Sequence, residues 1–273
     1  MIDNFGTIHP LVNLMRRFCV GWLDDADAEV CDQIMDPNYT VRIGGTSISG
    51  RDAEYKPATL GQLKKFPGLL ISVHDLFLSE LEVALHFTEH GPSVSNGKWA
   101  AWSGIGIFRW NGERLLSNIT EEDYFSRRRQ LITGIPDPVG RVAIAPWSAT
   151  PGQPDHEAEA TVRSWLEAGG LVGRDQIKVD DAWTGRFTPP LIDQHGLEID
   201  ALFSSGRRVA FHAVQQGTYL GGLEVDHEPV GMEVSMAVAG IVRVDEQGSI
   251  SGNVVRDRMG LRGDLGKLFE STH

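Results

Sequence analysis

Two histidines occupy matching places in stretches of the chain that repeat one another: His86 in Val83-Ala84-Leu85-His86 and His212 in Val209-Ala210-Phe211-His212. An imidazole facing a cavity is the side chain most readily tuned to take or give a proton near neutral pH. Asn118, Thr120 and Glu122 alternate along another stretch, so a strand there puts an amide, a hydroxyl and a carboxyl on one face. An enclosed carboxyl can be raised into the range of proton abstraction while an amide or hydroxyl beside it steadies an enolate-like oxygen. Asn253 and Asp257 hold the corresponding region further along. The structural alternatives are hydrogen bonding to a neighbouring strand for the histidines and helix capping for Glu122 and Asp257, the latter fitting Asp257 better. Trp22, Tyr39, Trp102 and Trp183 supply flat apolar surface, suited to a ligand or to a core. The expected catalytic groups are therefore His86, Glu122, His212 and Asp257. The expected contacts to a bound molecule are Trp22, Tyr39, Trp102, Asn118, Thr120, Trp183 and Asn253.

Other chemistries lack their residues. Gly104-Ile105-Gly106-Ile107-Phe108 has neither the third glycine nor the following helix of a dinucleotide fingerprint and reads as a strand. Histidines and cysteines show no zinc spacing, and Asp226-His227-Glu228 is a single cluster in a loop, so no metal and no cofactor is expected. Asp193 and His195 read as part of a polar turn. A net charge of −12 repels phosphate backbones, and the one basic run, Arg127-Arg128-Arg129, reads as a solvated helix end, which disfavours nucleic acid. No apolar window reaches membrane-spanning length, the N-terminus lacks the basic and apolar regions of a secretion signal, and only two cysteines are present. These features predict a cytosolic protein that engages no membrane.

Positioning such groups requires a defined order of elements. Leu11, Leu14, Met15, Phe18, Cys19, Trp22 and Leu23 recur at helical spacing, and Asp27 can cap a second helix carrying Val30, Cys31, Ile34 and Met35. A short strand at 39–43, a helix at 52–66, strands near 69–78, 81–89, 98–110 and 114–122 and a helix at 124–131 follow. Helices first and an antiparallel meander afterwards predict an α+β fold with helices packed on one sheet face. The segment 133–155 carries Pro136, Pro138, Pro146, Pro151 and Pro154 and reads as a linker.

Beyond it the order recurs: Trp22-Leu23 returns as Trp165-Leu166, Gly106-Ile107-Phe108-Arg109 as Gly240-Ile241-Val242-Arg243, and Asn118 to Glu122 as Asn253 to Asp257. The offset between copies falls from 143 at the first helix to 126 at the histidines and returns to 134 at the glycine strands. The second copy has thus lost helical cover and gained residues around Gly217-Thr218-Tyr219-Leu220-Gly221-Gly222.

These strand pairs resemble the SnoaL-like polyketide cyclases of the nuclear-transport-factor-like superfamily. The resemblance is carried by the hairpin Phe108 to Leu115, by the mouth loop Gly217 to Gly222, and by the closing strand and helix start Val254 to Leu261. It implies two tandem cone-shaped domains, 8–132 and 156–270, each a curved antiparallel sheet wrapped by N-terminal helices. It further implies that their sheets pair as an intrachain pseudo-dimer, with a homodimer open. The activity implied is cofactor-independent acid/base chemistry of cyclase, isomerase, dehydratase or lyase type on a small, apolar, oxygenated molecule such as a polyketide, terpenoid or aromatic carbonyl compound. The alternative is a non-catalytic binder. The chain departs from the family where Thr40, Val41 and Arg42 follow Tyr39 without a histidine, and where Thr120 and Val254 or Val255 stand in place of a closing-strand aspartate. The fuller helical cover of the first copy places the principal pocket there, with the second copy as its structural partner.

Overall fold

The computed structural model describes residues 8–171, 176–224 and 229–271. Asp226-His227-Glu228 lies outside them. Helix α1 (Pro10–Arg16) runs into a π-helical segment (Arg17–Asp24), and α2 (Ala28–Ile34) starts at Asp27, whose carboxylate accepts from the Glu29 amide. Strands β1 (Met35–Ile43) and β2 (Thr46–Ser49) form a hairpin, and a π-helical turn (Arg51–Tyr55) leads into α3 (Lys56–Lys65). Then come β3 (Leu70–Leu78), β4 (Glu82–Pro92), β5 (Trp99–Trp110), β6 (Leu115–Glu122) and α4 (Tyr124–Thr133). The second unit comprises α5 (His156–Glu167), β7 (Ile177–Val179), β8 (Ile192–Ser205), β9 (Arg208–Tyr219), β10 (Glu233–Val244), β11 (Ile250–Arg256) and α6 (Arg258–Ser271). Among the described residues no helix is long and apolar enough to cross a membrane.

The strands form two separate sheets, of order β2-β1-β6-β5-β4-β3 and β7-β11-β10-β9-β8. The α+β class with two helix-wrapped sheets is therefore what the chain adopts. One expectation needs amending: the sheets are not wholly antiparallel, because β1 runs parallel to β6 and β7 parallel to β11. In each unit the whole meander lies between that first strand and the closing strand, a connection long enough for the parallel pairing that a tight turn cannot make. A second amendment concerns Asp193 and His195, which lie in β8 rather than in a turn; His195 is exposed and faces Glu233 at 2.7 Å.

Both faces of the first sheet are covered. On one, Leu85, Phe87 and Phe108 join Leu11, Met15, Trp22 and Ile34 in the helix-covered core. On the other, Phe77, Ala84, Ile105 and Ile107 pack against Phe203, Ala210, Ala239, Ile241 and Val255 of the second sheet. The segment after α4 is fastened across this junction: the Ala143 amide donates to Val73 O and the Gly152 amide to Leu78 O, capping the free edge of β3.

Polar groups also cross between the sheets. His212, fully buried, has Nε2 2.8 Å from Glu121 Oε1 and Nδ1 2.8 Å from Asp200 Oδ2, and Arg42 pairs with Asp200. Burial lifts the Glu121 carboxyl to about 7, against the opposing pull of its bond to His212. A Glu121 proton donated to Nε2, with Nδ1–H donated to Asp200, satisfies all three groups without an unpaired charge.

This arrangement fixes the sign of a pH effect. The folded carboxyl binds its proton more tightly than the ordinary value of 4.5, so its contribution to stability is fully present below that pH and is lost as pH rises through about 7. Urea unfolding of the wild type and Glu121→Gln should show their stability difference shifting against the wild type by on the order of 3 kcal/mol between pH 4.5 and 8. A difference independent of pH would remove this account of the junction.

Candidate functional site

Alternation along four strands builds the helix-covered cavity of the first unit. Val41 and Ile43 of β1, Phe87 and Glu89 of β4, Phe108 of β5, and Asn118, Thr120 and Glu122 of β6 line it. Phe18 and Leu23 come from the π-helical segment, Tyr55, Ala58, Thr59, Gln62 and Leu63 from the second helical layer, and Tyr124 from α4. The cavity holds about 140 Å³. Glycine on the same face supplies part of that room: a Cβ at Gly106 would come within 3.2 Å of both Asn118 Oδ1 and Thr120 Oγ1 and 2.9 Å of the Phe108 ring.

Two carboxyl groups share this apolar chamber. Glu122 Oε2 accepts from the Trp102 indole at 2.8 Å and also bonds the Tyr124 hydroxyl, while Glu89 Oε2 accepts from Gln62 Nε2 at 2.8 Å. Burial raises both above the ordinary carboxyl range, and the Glu122 charge raises Glu89 further. Against this, Trp102, Arg127 and Tyr124 all favour ionised Glu122. Arg127 is held there by its rings, 4.1 Å from the Tyr124 centroid and 4.9 Å from that of Trp102. Burial and the Glu122 charge thus push Glu89 further up than Glu122, whose bonds to Trp102 and Tyr124 and nearness to Arg127 oppose the rise.

Two further side chains differ in what they can offer. Thr120 Oγ1 already donates to Ile105 O at 3.1 Å, leaving its lone pairs to the cavity. Asn118 is buried with Oδ1 unpaired, and no protein group among the described residues bonds its amide. A buried amide left open in a cavity is the natural partner of a bound oxygen or N–H.

The expected residues divide accordingly. Asn118, Thr120 and Glu122 line the cavity, and Trp102 holds Glu122 from behind. Glu122 is no cap: Asp123 caps α4, its carboxylate accepting from the Ser126 amide. Trp22 and Tyr39 stand outside the cavity wall; the Trp22 indole donates to the Tyr55 hydroxyl at 3.2 Å, and the Tyr39 ring packs 5.0 Å from that of Tyr55. His86 and His212 are on the opposite sheet faces, because Leu85, Phe87 and Phe211 take the inward positions. His86 bonds Ser103 Oγ at 3.1 Å and lies near Trp183 and Asn253 at the junction of the units.

Asn253 and Asp257 miss the second interior for a related reason. Gly106 pairs with Thr120 and Phe108 with Asn118, whereas Gly240 pairs with Val254 and Val242 with Gly252. Asn118 thus corresponds to Gly252 and Glu122 to Arg256, one residue earlier than the sequence match gives, and a one-residue slip exchanges the two faces. Asp257 matches Asp123 instead: its Oδ1 accepts from the Gly260 amide and caps α6. The same register sets Glu89 against Gln215. The second interior therefore lacks the carboxyl pair; Arg256 is tied to Asp180, and Val162, Leu166, Phe211 and Tyr219 pack its core.

Sequence reasoning passed over Glu89, Gln62, Tyr55, Tyr124 and Arg127. Glu89 had a signal, a charged residue continuing the inward Leu85-Phe87 series. Arg127 had none, since a basic run at a helix end reads as solvated.

Neither a family model nor a curated relative matches this sequence. Solved structures it resembles include a candidate polyketide cyclase from Acidithiobacillus ferrooxidans, at 21% identity and TM-score 0.41, covering 45% of this chain and 94% of that one. Another is IdmH, a candidate polyketide cyclase from Streptomyces antibioticus, at 15% identity and TM-score 0.41, covering 45% and 99%. A candidate SnoaL-like polyketide cyclase from Jannaschia sp. matches at 14% identity and TM-score 0.39, covering 49% and 96%.

Filling the cavity from its glycine tests its shape. Gly106→Ala forces Phe108 to move and should destabilise the protein by about 1–3 kcal/mol while abolishing uptake of a benzene-sized probe. Thermal unfolding with and without benzene reads both effects, and unchanged benzene stabilisation in the variant would show that the space lies elsewhere.

Proposed function

We propose that the first unit is an acid/base enzyme that moves a proton on a small, largely apolar carbonyl compound. The observation that carries this reading is the pair Glu89 and Glu122, buried together in one apolar chamber, where Glu122 is bonded by Trp102 and Tyr124 and Glu89 by Gln62. Burying ionisable groups is costly, and such pairs concentrate where proton transfer is needed.

Glu122 acts as the base. Its carboxylate removes a proton from carbon next to a carbonyl, and desolvation keeps it basic enough to do so. Glu89 is the acid, giving its proton to the oxygen or carbon that gains electron density. The open amide of Asn118 orients the carbonyl, and the phenyl rings of Phe18, Phe87 and Phe108 exclude water from the reacting atoms. Proton removal at one carbon and return at another is isomerisation. With loss of a β-hydroxyl it becomes dehydration, and with attack of the carbanion on a second carbonyl, aldol-type ring closure. All three need the same two carboxyls, so the chamber supports the class rather than one member of it.

Size narrows the substrate. A cavity of about 140 Å³ accepts a group of roughly the volume of one benzene ring, as comparable protein cavities do. The reacting portion is therefore a single ring or a short branched chain.

Purified protein assayed against monocyclic and short-chain carbonyl compounds in deuterated buffer should exchange a carbon-bound proton adjacent to the carbonyl. Glu122→Gln should lower the rate by about a thousandfold or more. Activity should rise as Glu122 ionises above the ordinary carboxyl range and fall as Glu89 loses its proton, so Glu89→Gln should lower the rate and erase the alkaline limb. Arg256→Gln, in the second interior, should affect stability more than rate. Saturable stabilisation by the same compounds without exchange would establish a binding protein and overturn the enzymatic reading.

A further inference from the structure

Three residues expected in the cone interiors, His86, Trp183 and Asn253, meet instead in a cleft of about 350 Å³ between the units. The first sheet contributes His74, His86, Thr88 and Ser103. The segment joining the units contributes Gly140 and Arg141, and the second unit Trp183 and Asn253.

The hydrogen bonds on one wall are spoken for. His74 Nδ1 faces Arg141 O at 2.9 Å and so carries the proton, which leaves Nε2 to accept from Thr88 Oγ1 at 2.6 Å. Burial lowers His74 and lowers His86 to about 3, so both rings, 4.9 Å apart, are neutral at pH 7. Asp75, also in the wall, is paired with Arg208 at 2.8 Å. What remains is biased toward donors. The guanidinium of Arg141, an exposed residue at the rim of the cleft, the Trp183 indole N–H and the Asn253 amide have no protein partner among the described residues.

We infer that this interdomain cleft is a binding site for a small organic carboxylate, held by Arg141, Trp183 and Asn253. The unpaired guanidinium meets the carboxylate, the amide and indole N–H supply further donors, and the indole face gives the organic body an apolar surface. Neutral imidazoles on the far wall leave Arg141 as the cleft's uncompensated charge, so an anion enters without a competing counter-ion. The site is independent of the Glu89–Glu122 chamber: it lies on the opposite face of the first sheet and shares none of that chamber's lining residues.

Titration of the full chain with benzoate, acetate and phosphate, followed by the ¹⁵N–¹H signals of the Trp183 indole and the Asn253 side chain, tests this. Benzoate should shift both signals saturably with a Kd of about 1 mM or tighter, and acetate should bind about tenfold more weakly for want of an indole contact. Arg141→Gln and Asn253→Asp should each weaken benzoate by about tenfold or more, whereas Glu122→Gln should leave it unchanged. No saturable shift with benzoate, equal binding of phosphate and benzoate, or loss of binding in Glu122→Gln with retention in Arg141→Gln would each overturn the assignment.

Discussion

A strand covered on both faces makes each polar side chain it carries costly wherever it finds no partner. Strand β6 is in that position. Its inward residues, Asn118, Thr120 and Glu122, enter the helix-covered chamber, and its outward residues, Ile119 and Glu121, meet the second unit. Asp123 ends it by capping α4 and pairing with Arg258 of the second unit at 2.6 Å. Three consecutive acidic residues thus serve three surroundings: a chamber that raises a carboxyl, an interface that bonds one to histidine, and a helix start where one meets Arg258. The period of two along a strand makes this division possible, since adjacent side chains cannot reach the same space.

Strand β11 answers the same constraint with different residues. Where β6 has Glu122, β11 has Arg256, which meets Asp180 through two of its nitrogens, at 2.9 and 2.6 Å, and donates from its backbone amide to the same carboxylate. Where Thr120 stands, Val254 packs into the core. Gln215, opposite in kind to Glu89, donates to Gln194. An ion pair satisfied on both sides has a fixed geometry, whereas burial raises Glu89 and Glu122 together above the ordinary carboxyl range. The two units therefore share a frame and differ in the quality that bears on chemistry.

The frame was legible because apolar periodicity dominates it. The strand series in the first unit and the helix at Tyr124 follow directly from alternation and spacing, and the recurrence of glycine and histidine strands exposed the duplication. The β2 strand escaped notice because Thr46–Ser49 is only four residues long and mostly exposed. Sites were harder to read. Periodicity says which residues share a face but not which of two faces encloses a ligand, and His86 and Glu122 were expected together although the sheet lies between them. In the second unit the match Asn118 to Asn253 rested on residue type. The ladder aligns Asn118 with Gly252, and that single step moved Asn253 and Asp257 out of the interior.

The sheet junction explains how the chain tolerates such a chamber. Folded domains are stable by about 5–15 kcal/mol, and each buried carboxyl whose ionisation is suppressed subtracts from that margin at neutral pH. Helices α1 and α2 with the π-helical segment Arg17–Asp24 bury one apolar face of the first sheet; the junction of Phe77, Ala84, Ile105 and Ile107 with Phe203, Ala239 and Ile241 buries the other. Burial on that scale is worth about 1.5–3 kcal/mol for each large side chain removed from water. A single unit would present the same face to solvent together with Glu121 and His86. By covering it, the second unit contributes stabilisation that offsets the cost of Glu89 and Glu122 without touching either of them. Its own interior has Gln215 and Arg256 at the matching positions and a packed core: one chamber already draws on the margin, and a filled core in the partner helps to restore it.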